Sequence, residues 1–132
     1  MPRDVHNPTT LFNSIQYGFS QIAVASGSRI MTISGQVGWD AEQKIIGYDD
    51  LRSQTFQAFR NLELAMKTVN SSLDDVVSLR IYIVASVMDD SASIRDALKY
   101  FFPEKPPTTT WIGVSRLADK DFLIEIEALA VL

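Results

Sequence analysis

The chain has 132 residues, of which 46% are hydrophobic, and it contains no cysteine and a single histidine. This length and composition predict one domain with a full apolar core. They exclude a thiol nucleophile, a cysteine-bound metal and a disulfide framework. Within one chain they also exclude a serine–histidine–aspartate triad and a cluster of histidine metal ligands.

The charge balance argues against nucleic acid and membranes as partners. Twelve Lys and Arg stand against sixteen Asp and Glu, for a net charge of −4, and the basic residues are scattered rather than grouped along one segment. The longest apolar stretches have the length of a strand, far below the roughly 20 residues that cross a bilayer. Because the first residues lack the apolar segment typical of a secretion signal, we expect a cytoplasmic protein.

The N-terminal part predicts a loosely ordered segment followed by two strands. Residues 1–16 mix polar residues and prolines without a regular apolar period, so we expect them to be loosely ordered. Residues 20–25 and 29–36 are short apolar and β-branched runs separated by Ser26-Gly27-Ser28. A glycine between two such runs predicts a β-hairpin.

Two helices follow, each with a start signal. Asp50 precedes a segment in which apolar residues recur every three or four positions (Phe56, Phe59, Leu62, Met66 and Val69). Asn70 can adopt the left-handed conformation that ends such a helix. Asp90 begins a second helix in which Ile94, Leu98 and Phe101 share one face, and Pro103 stops it.

Three further strands are predicted at residues 76–84, 108–115 and 122–132, where apolar residues alternate. In the first of them, Val77, Leu79, Ile81 and Ile83 share the face that is expected to pack in the core. The order of elements predicts an α+β fold: a single domain over residues 1–132 with a mainly antiparallel or mixed sheet and two helices on one face. In the last strand Ile124, Ile126, Ala128 and Ala130 face the core, whereas the opposite face mixes carboxylates with aliphatic side chains. That face favours an oligomer that packs sheet on sheet; a partly wetted sheet is the alternative.

Candidate chemistry is sparse when judged from residue types alone. Glu125 and Glu127 lie two residues apart on one face, which suits acid/base catalysis and equally suits two solvated carboxylates. Gly35 permits either the close approach of a ligand to the backbone or an ordinary strand end. Aromatic side chains that could line a small-molecule pocket, or simply pack in the core, are Tyr17, Phe19 and Trp111.

Five segments, in this order and spacing, resemble the Rid (YjgF-like, reactive intermediate deaminase) family. They are Ser34-Gly35-Gln36 and residues 57–62, 75–77, 101–103 and 124–128. The resemblance implies a chorismate-mutase-like fold and a homotrimer with a cleft between each pair of subunits. It also implies hydrolysis of reactive enamines and imines, such as 2-aminoacrylate, to 2-keto acids and ammonia, without a metal or an organic cofactor.

The resemblance assigns roles to several positions. Glu125 matches the glutamate that positions the attacking water, and Ser34 and Gly35 match the backbone wall of the cleft. Phe19 lies close to the position of a pocket tyrosine, and Tyr17 precedes it by two residues. The family's Pro-x-Arg-Ser/Thr segment binds the substrate carboxylate through its arginine, but here Thr109 occupies that position. The resemblance therefore places the chain in a divergent subgroup.

The missing arginine leaves two functions open. Thr109 cannot supply a positive charge, so Arg95 is the candidate replacement cation, and Thr110 and Trp111 complete the predicted binding site. One function is an enamine or imine hydrolase whose substrate is less anionic than 2-aminoacrylate. The other is a non-catalytic trimer that binds a small metabolite or a protein partner.

Overall fold

The computed structural model describes residues 3–132 and shows an α+β fold. Its regular elements are β1 (Asp4–His6), β2 (Ile22–Val24), β3 (Ile30–Gln36), α1 (Leu51–Lys67), β4 (Val76–Val84), α2 (Ser91–Phe101), β5 (Thr108–Val114) and β6 (Ile124–Val131). The main sheet has the order β3-β6-β4-β5, in which β4 and β5 are parallel and the other pairs are antiparallel. Strands β1 and β2 form a separate antiparallel pair.

Both predicted helices are present and cover one face of the main sheet. Helix α1 begins where Asp50 accepts a hydrogen bond from the Ser53 backbone amide, and Asn70 has a φ of 57° just beyond its end. The buried core joins both helices to the sheet (Phe59, Leu62, Met66, Ile94, Leu98, Leu79, Ile81, Ile83, Ile124 and Ile126). Neither α1 nor α2 is long and apolar enough to cross a membrane, and residues 3–132 contain no other α-helix.

The alternation predicted for β4 needs one correction. The sequence pattern placed Val77 on the core face, but the structure buries Val76. The pairing of β4 with β6 shifts register between Val76 and Ser78, so the alternation changes phase at this irregularity. From Leu79 onward the prediction is confirmed, and Leu79 and Ile81 lie in the core.

The predicted hairpin between residues 20–25 and 29–36 is wrong. Strand β2 pairs with β1, and β3 pairs with β6. Gly27 does not form a tight turn between two paired strands; it lies against the C-terminus, where a Cβ would overlap the carbonyl of Leu132. Arg29 and Leu132 exchange backbone hydrogen bonds at the same place. The partner of β3 is therefore about a hundred residues away in sequence, which local turn signals do not reveal.

The N-terminal segment is more ordered than the sequence suggested. Residues 1 and 2 lie outside the described residues, but 4–6 form β1, and Arg3 is buried. The Arg3 guanidinium donates hydrogen bonds of 2.6–3.0 Å to four backbone carbonyls, those of Leu73, Asp74, Val76 and Lys105. These charge-assisted bonds offset the cost of burying the cation and hold the segment against the start of β4.

Candidate functional site

A cleft of about 500 Å³ opens where β3 ends, between the loop that follows it, α1 and β6. Its lining residues are Gly35, Gln36, Val37, Trp39, Asp40, Ala41, Asn61, Leu64, Phe122 and Glu125. Two residues singled out from the sequence, Gly35 and Glu125, therefore lie in one cleft. Gln36 belongs to the Ser34-Gly35-Gln36 motif, and the remaining lining residues were not predicted as site residues.

Gly35 and Glu125 are in direct contact. A Cβ on Gly35 would overlap Oε2 of Glu125, so the absence of a side chain is what admits the carboxylate. The close approach is possible because the β3–β6 register shifts between Ile33 and Gln36. Within residues 3–132 the Glu125 carboxylate has no hydrogen-bonded or ionic partner, which leaves its oxygens able to accept hydrogen bonds from water or a ligand.

The wall of the cleft is fixed by Asn61 of α1. Its amide nitrogen donates to the carbonyls of Val37 (2.9 Å) and Trp39 (2.8 Å), and its oxygen accepts from Gln57 at 2.9 Å. The Trp39 ring packs edge-on against Phe122, with 4.7 Å between ring centroids. The loop after β3 thus becomes a defined aromatic wall. The four-residue spacing of Gln57 and Asn61 was the available sequence signal, because such a pair lies on one side of a helix.

Asp40 adds a second carboxylate to this cleft. Its Oδ1 accepts hydrogen bonds from the backbone amides of Glu42 and Lys44, both at 2.9 Å, and so closes the turn after β3. The Lys44 ammonium lies 3.7 Å from the Glu42 carboxylate. Glu125 and Asp40 thus give the cleft two acidic groups.

A second group of predicted residues lies at the start of β5. The Trp111 indole nitrogen donates to the Thr109 hydroxyl at 3.0 Å, and the Phe19 ring lies 6.1 Å from the Trp111 ring. Phe12 extends the cluster, 6.3 Å from Phe19. In the parallel register Thr109 lies beside the buried Leu79, so this aromatic cluster is on the helix-covered side of the sheet.

The structure separates Thr110 and Tyr17 from that cluster. Thr110 pairs with Arg80 in the register and is exposed on the opposite face of the sheet, because adjacent residues of a strand point to opposite sides. Tyr17 lies in the turn before Gly18 and its side chain is 43% exposed.

Arg95 lies on α2 with its backbone carbonyl against Gly18. Its Nε donates to Oδ1 of Asp96 at 3.2 Å, and Arg52 of α1 binds the other oxygen of the same carboxylate at 3.0 Å. The bond from Arg52, followed by that from Arg95, lowers the pKa of Asp96. The structure therefore pairs the candidate replacement cation with a carboxylate.

Glu127 differs from Glu125 in its surroundings. The Tyr82 hydroxyl donates to Glu127 at 2.5 Å, and the Arg80 guanidinium lies 3.9 Å from the same oxygen. The hydrogen bond to Glu127 raises the pKa of Tyr82. This cluster borders a separate cavity of about 230 Å³ on the open face of the sheet. The two glutamates thus have different partners.

The two groups of predicted site residues belong to different edges of the molecule. Strand β3, which carries Ser34 and Gly35, is one edge of the main sheet, and β5, which carries Thr109 and Trp111, is the other. Strands β6 and β4 lie between them. Ser34 is exposed, and its carbonyl accepts a hydrogen bond from Gln36. One copy of the chain therefore does not bring Glu125 and Thr109 into a single pocket.

The model of the family described as endoribonuclease L-PSP matches residues 13–132. The chain belongs to this family, and the Rid (YjgF-like) resemblance is confirmed. A structure described as a member of the conserved Rid protein family, YyfB from Yersinia pestis, superposes with a TM-score of 0.93, 36% identity and complete coverage of both chains. The α+β fold predicted from the sequence is that of these Rid relatives.

Two relatives indicate the range of names within the Rid family. A RutC family protein of Pyrococcus horikoshii is 33% identical over 82% of each chain. A protein of Dermatophagoides farinae named 2-iminobutanoate/2-iminopropanoate deaminase is 29% identical over 83% of each chain. Within residues 3–132, no group of three or more His, Asp or Glu side chains is arranged to hold a metal ion.

Proposed function

We propose that this Rid-family chain is an imine and enamine hydrolase that works as a homotrimer. Each active cleft combines the Glu125 group of one copy with the Thr109 group of another. The observation that carries the proposal is the Glu125 carboxylate, which lies over Gly35 at a cleft and has no other partner among residues 3–132. The relative named as an iminobutanoate and iminopropanoate deaminase supports the reaction class.

The need for a second copy follows from where the two groups lie. They occupy opposite edges of the sheet, and a closed symmetric assembly brings opposite edges of neighbouring copies together. The open face of the sheet also exposes Ile30 (76%) and Leu129 (37%) beside the Tyr82–Glu127 pair. Apolar side chains on an otherwise polar sheet face support burial against another copy.

The reaction needs one group that handles protons at the attacked carbon. The Glu125 carboxylate accepts a proton from water while the water oxygen bonds to the imine carbon, and the C=N electron pair moves to nitrogen. Glu125 then returns that proton to nitrogen. Glu125 next moves the hydroxyl proton to the same nitrogen as the C–N bond breaks with its electrons on nitrogen, so ammonia departs and the carbonyl product remains. An enamine enters the same route after it takes up a proton at carbon.

We expect 2-aminoacrylate to be a poor substrate. Thr109 supplies only a hydroxyl, and that hydroxyl already accepts the Trp111 indole hydrogen. A hydrogen bond to a charged group contributes about 1.5–3 kcal/mol, which this position lacks for a carboxylate. The net charge of −4 likewise disfavours RNA as a substrate, despite the description of the family.

The test follows the decay of imines generated in place by amine and amino-acid oxidases, trapped with semicarbazide. We expect Glu125→Gln to lose at least about a hundredfold in rate, because it removes the general base. Glu127→Gln is the matched control two residues along the same strand, and we expect a much smaller loss. Sedimentation of each variant checks assembly. Equal rates for wild type and Glu125→Gln would refute the proposed role of Glu125.

A non-catalytic binding trimer is the second candidate function. The observation that favours it is the Thr109–Trp111 hydrogen bond. Thr109 stands where the sequence comparison with the Rid family expects the carboxylate-binding arginine, and here it belongs to an apolar cluster with Trp111 and Phe19. In that case the wild-type protein would not change the decay rate of any imine. Calorimetric titration with small neutral amides would still show saturable binding, and Glu125→Gln would alter it.

A further inference from the structure

We propose that the cleft is built for iminium ions that carry no carboxylate and have an apolar or aromatic substituent. This inference rests on the proposed function and names its substrate class. Such compounds are protonated imines of simple aldehydes or ketones, and their hydrolysis yields the aldehyde or ketone and an ammonium ion.

The charge of the cleft favours a cationic ligand. The Glu125 part of the cleft carries two carboxylates, those of Glu125 and Asp40, and none of its described lining residues is cationic. Asp40 is held in place by two backbone amides, so its charge stays at the rim. Two negative groups favour a cationic iminium and repel a carboxylate on the same molecule.

The walls of the cleft suit an apolar or aromatic substituent. Trp39 and Phe122 pack edge to face beside Glu125, and Leu64 lines the same cleft. Aromatic faces attract organic cations and bury apolar substituents. The wall is held rigid by the two hydrogen bonds from Asn61, so it is formed before the substrate arrives.

The group at β5 adds apolar surface and no charge. Phe12, Phe19 and Trp111 form a chain of ring contacts, and the Thr109 hydroxyl is bonded to the indole of Trp111. A carboxylate placed here would lose its water without gaining a cationic partner, which disfavours its binding. An aromatic or branched aliphatic substituent suits the same surface.

Arg95 approaches this group through its backbone, which lies against Gly18, the residue before Phe19. Its Nε is bonded to Asp96, and Asp96 is also bonded to Arg52 across the two helices. To reach a substrate carboxylate, the guanidinium would have to leave that pairing. The Asp96 pairing therefore makes Arg95 a poor carboxylate receptor, and a variant at this position tests the point.

The reaction balances with water alone, because one iminium ion and one water molecule give one carbonyl compound and one ammonium ion. No oxidant or reductant is consumed at this step. Two-electron oxidation of a primary amine supplies such a substrate, because it converts the amine into a carboxylate-free iminium. The protein thus fits after an amine oxidation rather than after an amino-acid dehydration.

The test compares two imines that differ only in the carboxylate. A flavin-dependent amine oxidase acting on 2-phenylethylamine gives one, and an amino-acid oxidase acting on L-phenylalanine gives the other. The acceleration of each decay by wild-type protein is measured from the yield trapped with semicarbazide. We expect the carboxylate-free imine to be accelerated at least about tenfold more, the size of one lost charged contact.

Variants then change the charge of the cleft. Thr109→Arg should shift the preference toward the imino acid by about tenfold or more, whereas Thr109→Gln, similar in bulk and uncharged, should not. Asp40→Asn keeps an acceptor for both backbone amides and removes one charge, so it should shift the preference in the same direction by a smaller factor. Arg95→Met should leave the ratio of the two accelerations unaltered.

The outcomes separate the two proposals. If the imino acid is hydrolysed as fast as the carboxylate-free imine, or if Arg95→Met selectively slows the imino acid, the substrate class is wrong while the hydrolase function stands. If neither imine is accelerated, the hydrolase function fails and the substrate class fails with it. Acceleration of the carboxylate-free imine alone, lost in Glu125→Gln, supports both.

Discussion

The two faces of the main sheet have very different surroundings. On the helix-covered face, Leu79, Ile81 and Ile126 are completely or almost completely buried beneath α1 and α2. On the open face, Tyr82 and Glu127 form a hydrogen-bonded pair, and Leu129 remains partly exposed. One strand, β6, serves both faces through its alternation. We therefore expect changes on the first face to reduce stability and changes on the second to disturb the proposed assembly.

The largest expected effect contrasts two residues of β6. Ile126→Ala removes a fully buried side chain and should lower the free energy of unfolding by about 2–5 kcal/mol, because it leaves a cavity in the core. Leu129→Ala, on the open face, should cost much less in the separated protomer. Urea unfolding at several protein concentrations measures both. Equal losses of unfolding free energy in the two variants at the lowest protein concentration would contradict the difference between the two faces.

The next effect concerns the anchor of the N-terminal segment. Arg3→Met keeps the bulk but leaves four backbone carbonyls without the guanidinium donor, and should cost roughly 2–3 kcal/mol. Arg3→Lys should be intermediate, because an ammonium cannot reproduce the planar fork. Hydrogen exchange at the amides of β1 should rise in both variants. Unchanged protection would mean that β1 is held by other contacts.

A smaller effect is expected at the start of α1. Asp50→Ala removes the N-cap and should cost about 1 kcal/mol at neutral pH. The hydrogen bonds from Ser53 lower the pKa of Asp50 below its ordinary 3.8. Its stabilisation is therefore complete above that value and is lost as the pH falls through the lowered pKa of the folded state.

Asp50→Asn is the control for this cap, since it keeps the side-chain acceptor and removes the charge. The difference between Asp50→Ala and Asp50→Asn should change little with pH, whereas the difference between wild type and Asp50→Asn should shrink in acid. Thermal unfolding from neutral pH to about pH 3 gives both differences. A wild-type advantage that grows in acid would contradict the sign of the shift.

The smallest effect on the fold of the protomer is expected at the open face. Leu129→Arg should change the unfolding of the separated protomer by under about 0.5 kcal/mol, as surface substitutions usually do. The same substitution should dissociate the proposed trimer, because it places three charges on the face that the copies share. Tyr48→Arg, at an exposed loop residue, is the control. Sedimentation that shows an intact Leu129→Arg trimer would exclude this face from the interface.

Local signals predicted the helices well. The start of α1 at Asp50 and the left-handed Asn70 after it depend on side chains within a few residues, which the sequence displays directly. The hairpin prediction failed because β3 chooses a partner at the far end of the chain. The sequence does not indicate the burial of Arg3 for a related reason, because its acceptors are carbonyls some 70 to 100 residues away.

The candidate site was predictable only in part. The sequence predicts Glu125 and Gly35 as site residues, and the structure places them in contact. Trp39 and Asp40 were missed, because they reach the cleft through a loop whose path depends on Asn61. Thr109 and Thr110 were grouped as one binding segment, although the period of two in a strand already places them on opposite faces.

In the proposed trimer, the position of β3 and β5 at opposite edges of the sheet would make each cleft a shared property of two protomers. Two variants of that trimer, one changed at Glu125 and one changed at Phe19, should each lose activity alone and complement each other when unfolded together and refolded. In statistically mixed trimers, about a quarter of the clefts receive both undamaged halves, since each half is drawn independently from two kinds of protomer. Activity would thus belong to the mixed trimer and to neither variant chain alone.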